Sequence, residues 1–278
     1  MRLFAAAFVA LTFPWGALSE EPAATARADA LLDALSMPEV MAILREEGLR
    51  HAGDVEDDMF PGSGGESWDS AIAEIYAEDR LMPEFRKVFG TALAATGGDV
   101  AAMTAFFTTD PGRKAVALEV SARRAFLDPA VEDASKLKVG EMRAEADPRL
   151  ELVGEFILRG DLVEANVTSG LNANLAFYQG LADGGALPEE MTGEDILREV
   201  WSQEDSVRSD TTDWLFAFLT LAYAPLSDDE LRDYIAFSAS EPGQDLNRAL
   251  FEGFDAVFLD VSHRLGVATA AHVAGQDL

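Results

Sequence analysis

Apolar residues recur every three or four positions along almost the whole chain, and nothing alternates as a strand would; this predicts helices throughout. Leu31, Leu32 and Leu35 open the pattern, and Val40, Met41, Ile43 and Leu44 continue it beyond Ser36-Met37-Pro38-Glu39. Ser36 there reads as an N-cap, with Pro and Glu in the first turn. Gly53 is expected to stop this helix and begin a loop over 53–66, acidic from Asp54 to Asp58 and glycine-rich after Pro61. Ser67 then caps a helix carrying Ile72, Ile75 and Tyr76. Another helix, from about Pro83 to Ala95, presents Phe85, Val88, Phe89 and Ala92 and ends at Gly97-Gly98. A helix of mixed charge over 130–146 has few apolar residues and reads as a solvated connector. Beyond Pro148, Leu150 to Leu158 form an apolar helix extended by Leu162, Val163 and Val167, and Leu171 to Tyr178 lie on the next. Thr192 with Asp195 and Ser227 with Glu230 open two more helices, Ser227–Glu230 as a capping box. Trp214 to Tyr223 is apolar on every side, which predicts a buried helix too short to cross a bilayer. Ser240 caps the last long helix, from Leu246 to Leu265.

Two stretches of this pattern say nearly the same thing. One runs Asp99 to Gly112 and the other Glu230 to Gly243. Both place Ala-Phe (Phe106, Phe237) three residues before a Thr or Ser, then an acid (Asp110, Glu241), then Pro-Gly (Pro111-Gly112, Pro242-Gly243). Glu199-Val-Trp201 answers to Glu74-Ile-Tyr76, and the Trp214 helix to the Phe85 helix. An internal duplication explains this. The expected fold is all-α: two pseudo-symmetric helical repeats forming a bundle of roughly eleven helices. The motif serves as a corner, in which a hydroxyl satisfies a free N–H, the acid faces a positive helix end, Pro presets the backbone and Gly admits close approach. Thr109 is expected to cap the helix after the first corner.

The first nineteen residues carry Arg2, an apolar stretch from Leu3 to Phe13, and small residues at Ala17-Leu18-Ser19; they read as a signal peptide cleaved after Ser19. Residues 20–28 read as a flexible arm, 29–146 as the first repeat with its connector, 147–266 as the second, and 267–278 as a frayed, small-residue tail. The chain is placed in the periplasm or outside the cell, with no membrane span once the signal is removed. Cysteine is absent. A core this long needs no disulfide, and no thiol nucleophile is available.

Fifty acids against twenty-one cations set a formal charge of −29. Phosphate backbones and anionic lipids would be repelled, so nucleic acid is not an expected partner. Three histidines, His51, His263 and His272, are too far apart for a helical metal pair. Asp54, Glu56 and Asp58 alternate like the start of a calcium loop, but Met59 stands where Gly is needed. No cofactor motif and no catalytic constellation can be named; Glu74 and Glu199, in equivalent places, are the one carboxylate pair worth following.

The stretch from Leu226-Ser227-Asp-Asp-Glu230 through Tyr234-Ile-Ala-Phe237 to Ser240-Glu-Pro242-Gly243-Gln244 resembles a domain family of unknown function found in exported proteins of proteobacteria. The first copy departs from it at Arg113, where Gln244 stands in the second. The resemblance implies a secreted helical domain and carries no activity. The expected function is therefore a soluble periplasmic binding or interaction module without catalysis, whose partner is an envelope protein or a small ligand. An envelope hydrolase using a carboxylate pair and a weak calcium-binding protein are the alternatives.

Overall fold

The computed structural model describes residues 17–188 and 190–274. Of the expected signal peptide, residues 1–16 lie outside the described residues, as do 275–278 of the expected tail. The described chain is helical and contains no strand. Its helices are α1 (Ala17–Ala34), α2 (Met37–Met59), α3 (Gly65–Ile75), α4 (Glu78–Thr96), α5 (Val100–Thr108) and α6 (Gly112–Ala125), then α7 (Pro129–Ala144). They continue as α8 (Arg149–Arg159), α9 (Leu162–Asp183), α10 (Gly193–Trp201), α11 (Glu204–Tyr223), α12 (Asp228–Ser238) and α13 (Glu241–Ala274). No helix among the described residues is long and apolar enough to cross a membrane.

Local chemistry accounts for many boundaries. Both Thr192–Asp195 and Ser227–Glu230 form full capping boxes: Asp195 N donates to Thr192 Oγ1 at 3.2 Å, and Ser227 N donates to Glu230 at 2.7 Å. Asp99 and Asp128 cap α5 and α7 through Ala102 N and Ala130 N. Ser240 accepts from Gly243 N at 3.2 Å, as a cap of α13 should.

Other boundaries differ from expectation. Ser36 does begin α2, but in a left-handed conformation (φ 52°) and without a side-chain cap bond. Ser67 lies inside the first turn of α3, which begins at Gly65. Thr109 donates back to Ala105 O and Phe106 O, and Pro111 occupies the cap position of α6 without a capping bond. Gly53 does not stop α2, which runs on to Met59 because Ala52 and Val55 are buried on its inner face; the energy of that burial exceeds the helix penalty of one glycine. α4 starts before Pro83 and contains it. The break in the second half falls at Asp161 (φ 51°), so that α9 is one helix.

Residues 20–28, expected as an arm, are part of α1. The connector α7 is less solvated than its charge suggested: Ser135, Val139 and Met142 are buried, and it packs on α11. The tail shows the largest difference. α13 continues to Ala274, with Thr269 and Ala270 fully buried.

α11 lies at the centre of the second half, against α6, α7, α8 and α9. α13 is the molecular spine. It packs along α9, its most extensive interface, and along α4, and it also touches α2, α3, α5 and α12. Phe85 of α4 presses on Gly253, where an added Cβ would meet the ring at 2.8 Å, and stacks near Phe254 at 4.8 Å between centroids. The α9–α13 crossing is tighter still. A Cβ on Gly266 would land on the Phe177 carbonyl oxygen, and one on Gly180 on the His263 carbonyl oxygen. Backbone thus meets backbone from both sides, and only glycine permits it.

The crossing makes a signed prediction. Gly266→Ala forces two backbones apart and should cost about 2–3 kcal/mol in urea unfolding. Gly140→Ala, on α7 where an added Cβ meets nothing within 4 Å, should gain about 0.5–1 kcal/mol from helix propensity alone. Shifts of the same sign would refute a tight crossing.

Candidate functional site

The two sequence motifs meet in space. Phe106 and Phe237 stack face to face, with centroids 4.0 Å apart and planes inclined by 6°. Phe107 packs edge-on against this pair, and Tyr234 stacks on Phe106 with centroids 5.7 Å apart. Each motif glycine presses on its own phenylalanine: a Cβ on Gly112 or Gly243 would collide with the carbonyl oxygen of Phe106 or Phe237 respectively. Asp110 pairs with Arg113 at 3.1 Å, whereas Glu241 is exposed in the first turn of α13. The Asp110–Pro111 peptide is cis. These eight residues build two corners and the aromatic contact between them; none of them presents a reactive group to a cavity.

The seam between the first six and the last six helices is therefore filled. One continuous cluster of buried residues runs from Leu31 through Phe89 and Tyr223 to Leu265. Among the described residues two acids approach it: Asp245 of α13 is buried, and Glu119 is half-buried. Glu119 of α6 accepts a hydrogen bond from Tyr223 OH at 2.7 Å, beside Tyr234 and Phe156. Burial raises the Glu119 carboxyl above its usual range, partly offset by its hydrogen bonds with the two tyrosines, and burial first, then the Glu119 charge, pushes both phenols well up. Catalysis by a carboxylate pair needs a second acid and a cleft. Glu74 and Glu199 do not supply them: both are exposed, on α3 and α10. The acid that stands out, Glu119, was missed because nothing in the linear sequence placed two tyrosines from α11 and α12 over it.

An open cavity lies elsewhere, where α7 crosses the second half. A groove of about 750 Å³ is formed by one face of α7, the start of α8, the C-terminal half of α11 and the start of α12. Ala130, Val131, Ala134 and Met142 line one wall, and Ala217 and Leu221 the other. Alanine at three of these positions leaves room, and the walls are mostly apolar. Lys138, Asp147, Arg149 and Asp228 mark the rim. Arg149 is an anchor of this site: its Nη2 donates to the Tyr223 and Leu226 carbonyls at 2.8 Å, and its Nη1 pairs with Asp228. It thereby neutralises the C-terminal end of α11. Ser135 turns its hydroxyl to Val131 O. Among the described residues Thr220 Oγ1, on the α11 wall, is buried without a hydrogen-bond partner. The groove holds no nucleophile–base pair; it can bind a largely apolar molecule.

The histidines play structural parts. His51 is exposed. His263 bonds Asp183 at 2.9 Å and ties α13 to α9. His272 stacks on Phe60 and meets Ser67 Oγ at 3.0 Å, while its Nδ1 donates to Ala268 O at 2.8 Å; it fastens the end of α13 to α3. Asp54, Glu56 and Asp58 lie on α2, where alternate positions face different sides and cannot encircle an ion. No cluster of three metal-ligating side chains occurs among the described residues. No family model, no curated protein and no solved structure matches the chain.

Two acids set opposite pH slopes. Glu230, held by Lys114 at 2.9 Å and by Ser227 N, has its pKa lowered to about 2. Its contribution is complete above the unfolded value of about 4.3 and is lost as pH falls from there towards 2. Glu119 is raised, so stability falls as pH rises from about 4.3 to its own higher value. Glu119→Gln should remove the second slope and leave the first; Glu230→Gln should reduce the first, which Glu164, Asp195 and Asp260 share, and leave the second. Urea midpoints measured from pH 2 to 8 would show both.

Proposed function

We propose that the protein is a non-catalytic ligand-binding module of the cell envelope, and that its site is the groove between α7 and α11. The observation that carries this reading is the groove itself: an apolar trough of about 750 Å³ beside a continuous buried core. Such pockets, largely preformed with a few polar groups at the rim, are the ordinary form of a small-molecule site. Export is supported by the N-terminal pattern of Arg2, the apolar run and Ala17-Leu18-Ser19, and agrees with a core built without cysteine. The resemblance to a helical family of exported proteins points the same way.

The proposal includes an ancestral unit of six helices, copied once, with α7 as the connector. Four features support it. Ser36 and Asp161, at equivalent junctions, both adopt left-handed backbone (φ 52° and 51°). α6 packs on α11 as α13 packs on α4. α1 packs on α5 as α8 packs on α12. The two corners meet through their own phenylalanines. On this reading the duplication is recorded in the corners, while the ligand site uses the one helix that was not copied.

The neutral probe 1-N-phenylnaphthylamine should bind one per chain, with a rise in fluorescence. Ala134→Phe and Ala224→Phe, at exposed groove positions, should weaken binding at least tenfold without lowering Tm. Unchanged binding in both variants would remove the groove from consideration. Independently, the chain recovered from the periplasm should begin at Glu20, as intact mass would show.

A further inference from the structure

We infer that a second groove, between α1 and α4, is a site for an amphipathic anion: an apolar chain bearing one negatively charged head. The groove encloses about 870 Å³ and ends at Gly97, Gly98 and the start of α5. It uses the first, fourth and fifth helices of the first half, as the α7–α11 groove uses α8, α11 and α12 of the second. The inference does not require the other groove to be occupied.

Three observations select the occupant. First, the floor is apolar, with Leu32 and Leu93 buried beneath Ala94 and Val100. A small inorganic anion would leave this surface wet. Second, the charge is inverted relative to the chain. In a protein with fifty acids and twenty-one cations, Arg27, Arg86 and Lys87 line this groove with Asp29 as the one acid among them. Among the described residues Arg27 has no carboxylate partner. Arg86 pairs with Asp29 at 3.6 Å and Lys87 with Glu84 at 3.8 Å, both longer than a hydrogen bond, so their N–H donors retain room for a further acceptor. In the α7–α11 groove, by contrast, Arg149 is fully engaged by Asp228 and two carbonyls. Third, Gly90 sits mid-helix in α4 and lines the groove, yet an added Cβ there would meet no protein atom within 4 Å. A glycine inside a helix costs stability that alanine would restore, and no packing contact here requires it. What it preserves is open space above the floor. A neutral chain would use that space and leave the cations unmatched; a chain with one anionic head satisfies both.

The test is calorimetric titration of the chain purified from the periplasm, at low ionic strength, with decanoate, decanol and decyltrimethylammonium. Decanoate should bind one per chain and at least tenfold more tightly than the other two, with affinity falling in 0.5 M salt, since the cations are exposed. Gly90→Leu should abolish this binding without lowering Tm. Arg27→Glu combined with Arg86→Glu, both surface changes, should weaken it at least tenfold. Ala134→Phe, in the other groove, should leave it intact, which separates the two sites. Equal affinity for all three headgroups, or decanoate binding retained in both the Gly90→Leu and the double arginine variants, would overturn the inference. So would binding to phosphatidylglycerol vesicles without binding to free decanoate, which would make the face a membrane contact.

Discussion

The close approach of α9 and α13 is the constraint on which the rest of the molecule depends. At 34 residues, α13 is about 50 Å long and crosses the whole protein. Gly180 and Gly266 let it touch α9 backbone to backbone, with Gly184 against Ala270 one turn further on. That contact fixes the depth of α13, and the depth sets where its other face meets α4, with Phe85 filling the notch at Gly253. The Arg80–Asp260 and Arg264–Asp260 pairs close the outer edge of the α4 contact. Two sets of helices that could have been separate domains become one core because a single helix is shared between them.

A core closed in this way leaves little for chemistry in its interior. The aromatic stack of Phe106 on Phe237 occupies the place where a cleft between halves would have formed. Glu119, half-buried at the seam, is satisfied by tyrosine rather than aimed at solvent-filled space. Both grooves lie at the periphery, where alanine and glycine among the lining residues keep the helices from filling the space. Binding at the edges of a rigid bundle is the kind of activity such a distribution of space supports.

Particular residues show how much could be read in advance. The capping boxes at Thr192 and Ser227 were legible because their interactions span three residues. The helix at Trp214 was legible because it is apolar all round. The paired corners were legible because both stretches carry Phe, acid, Pro and Gly, although their mutual stacking was not. Failures share one cause. Gly53, Ser36 and the small-residue tail after Gly266 were read by local preference, and each was overridden by burial against a distant element. In the tail, alanine and glycine marked not fraying but the surface that lets α13 come close to α9. Of the candidate sites, neither groove was legible, because each is a gap between helices far apart in sequence.

By itself the sequence determined the helical class, the acidic surface, the repeated corners and the absence of thiol chemistry, since each follows from residue type and short-range spacing. Tertiary structure alone decided that the seam is filled, that two phenols stand over Glu119, and that free space and three cations coincide between α1 and α4. Periodicity states which face of a helix is buried, but not which other face it meets; where two faces fit, a core forms, and where small residues hold them apart, a groove remains.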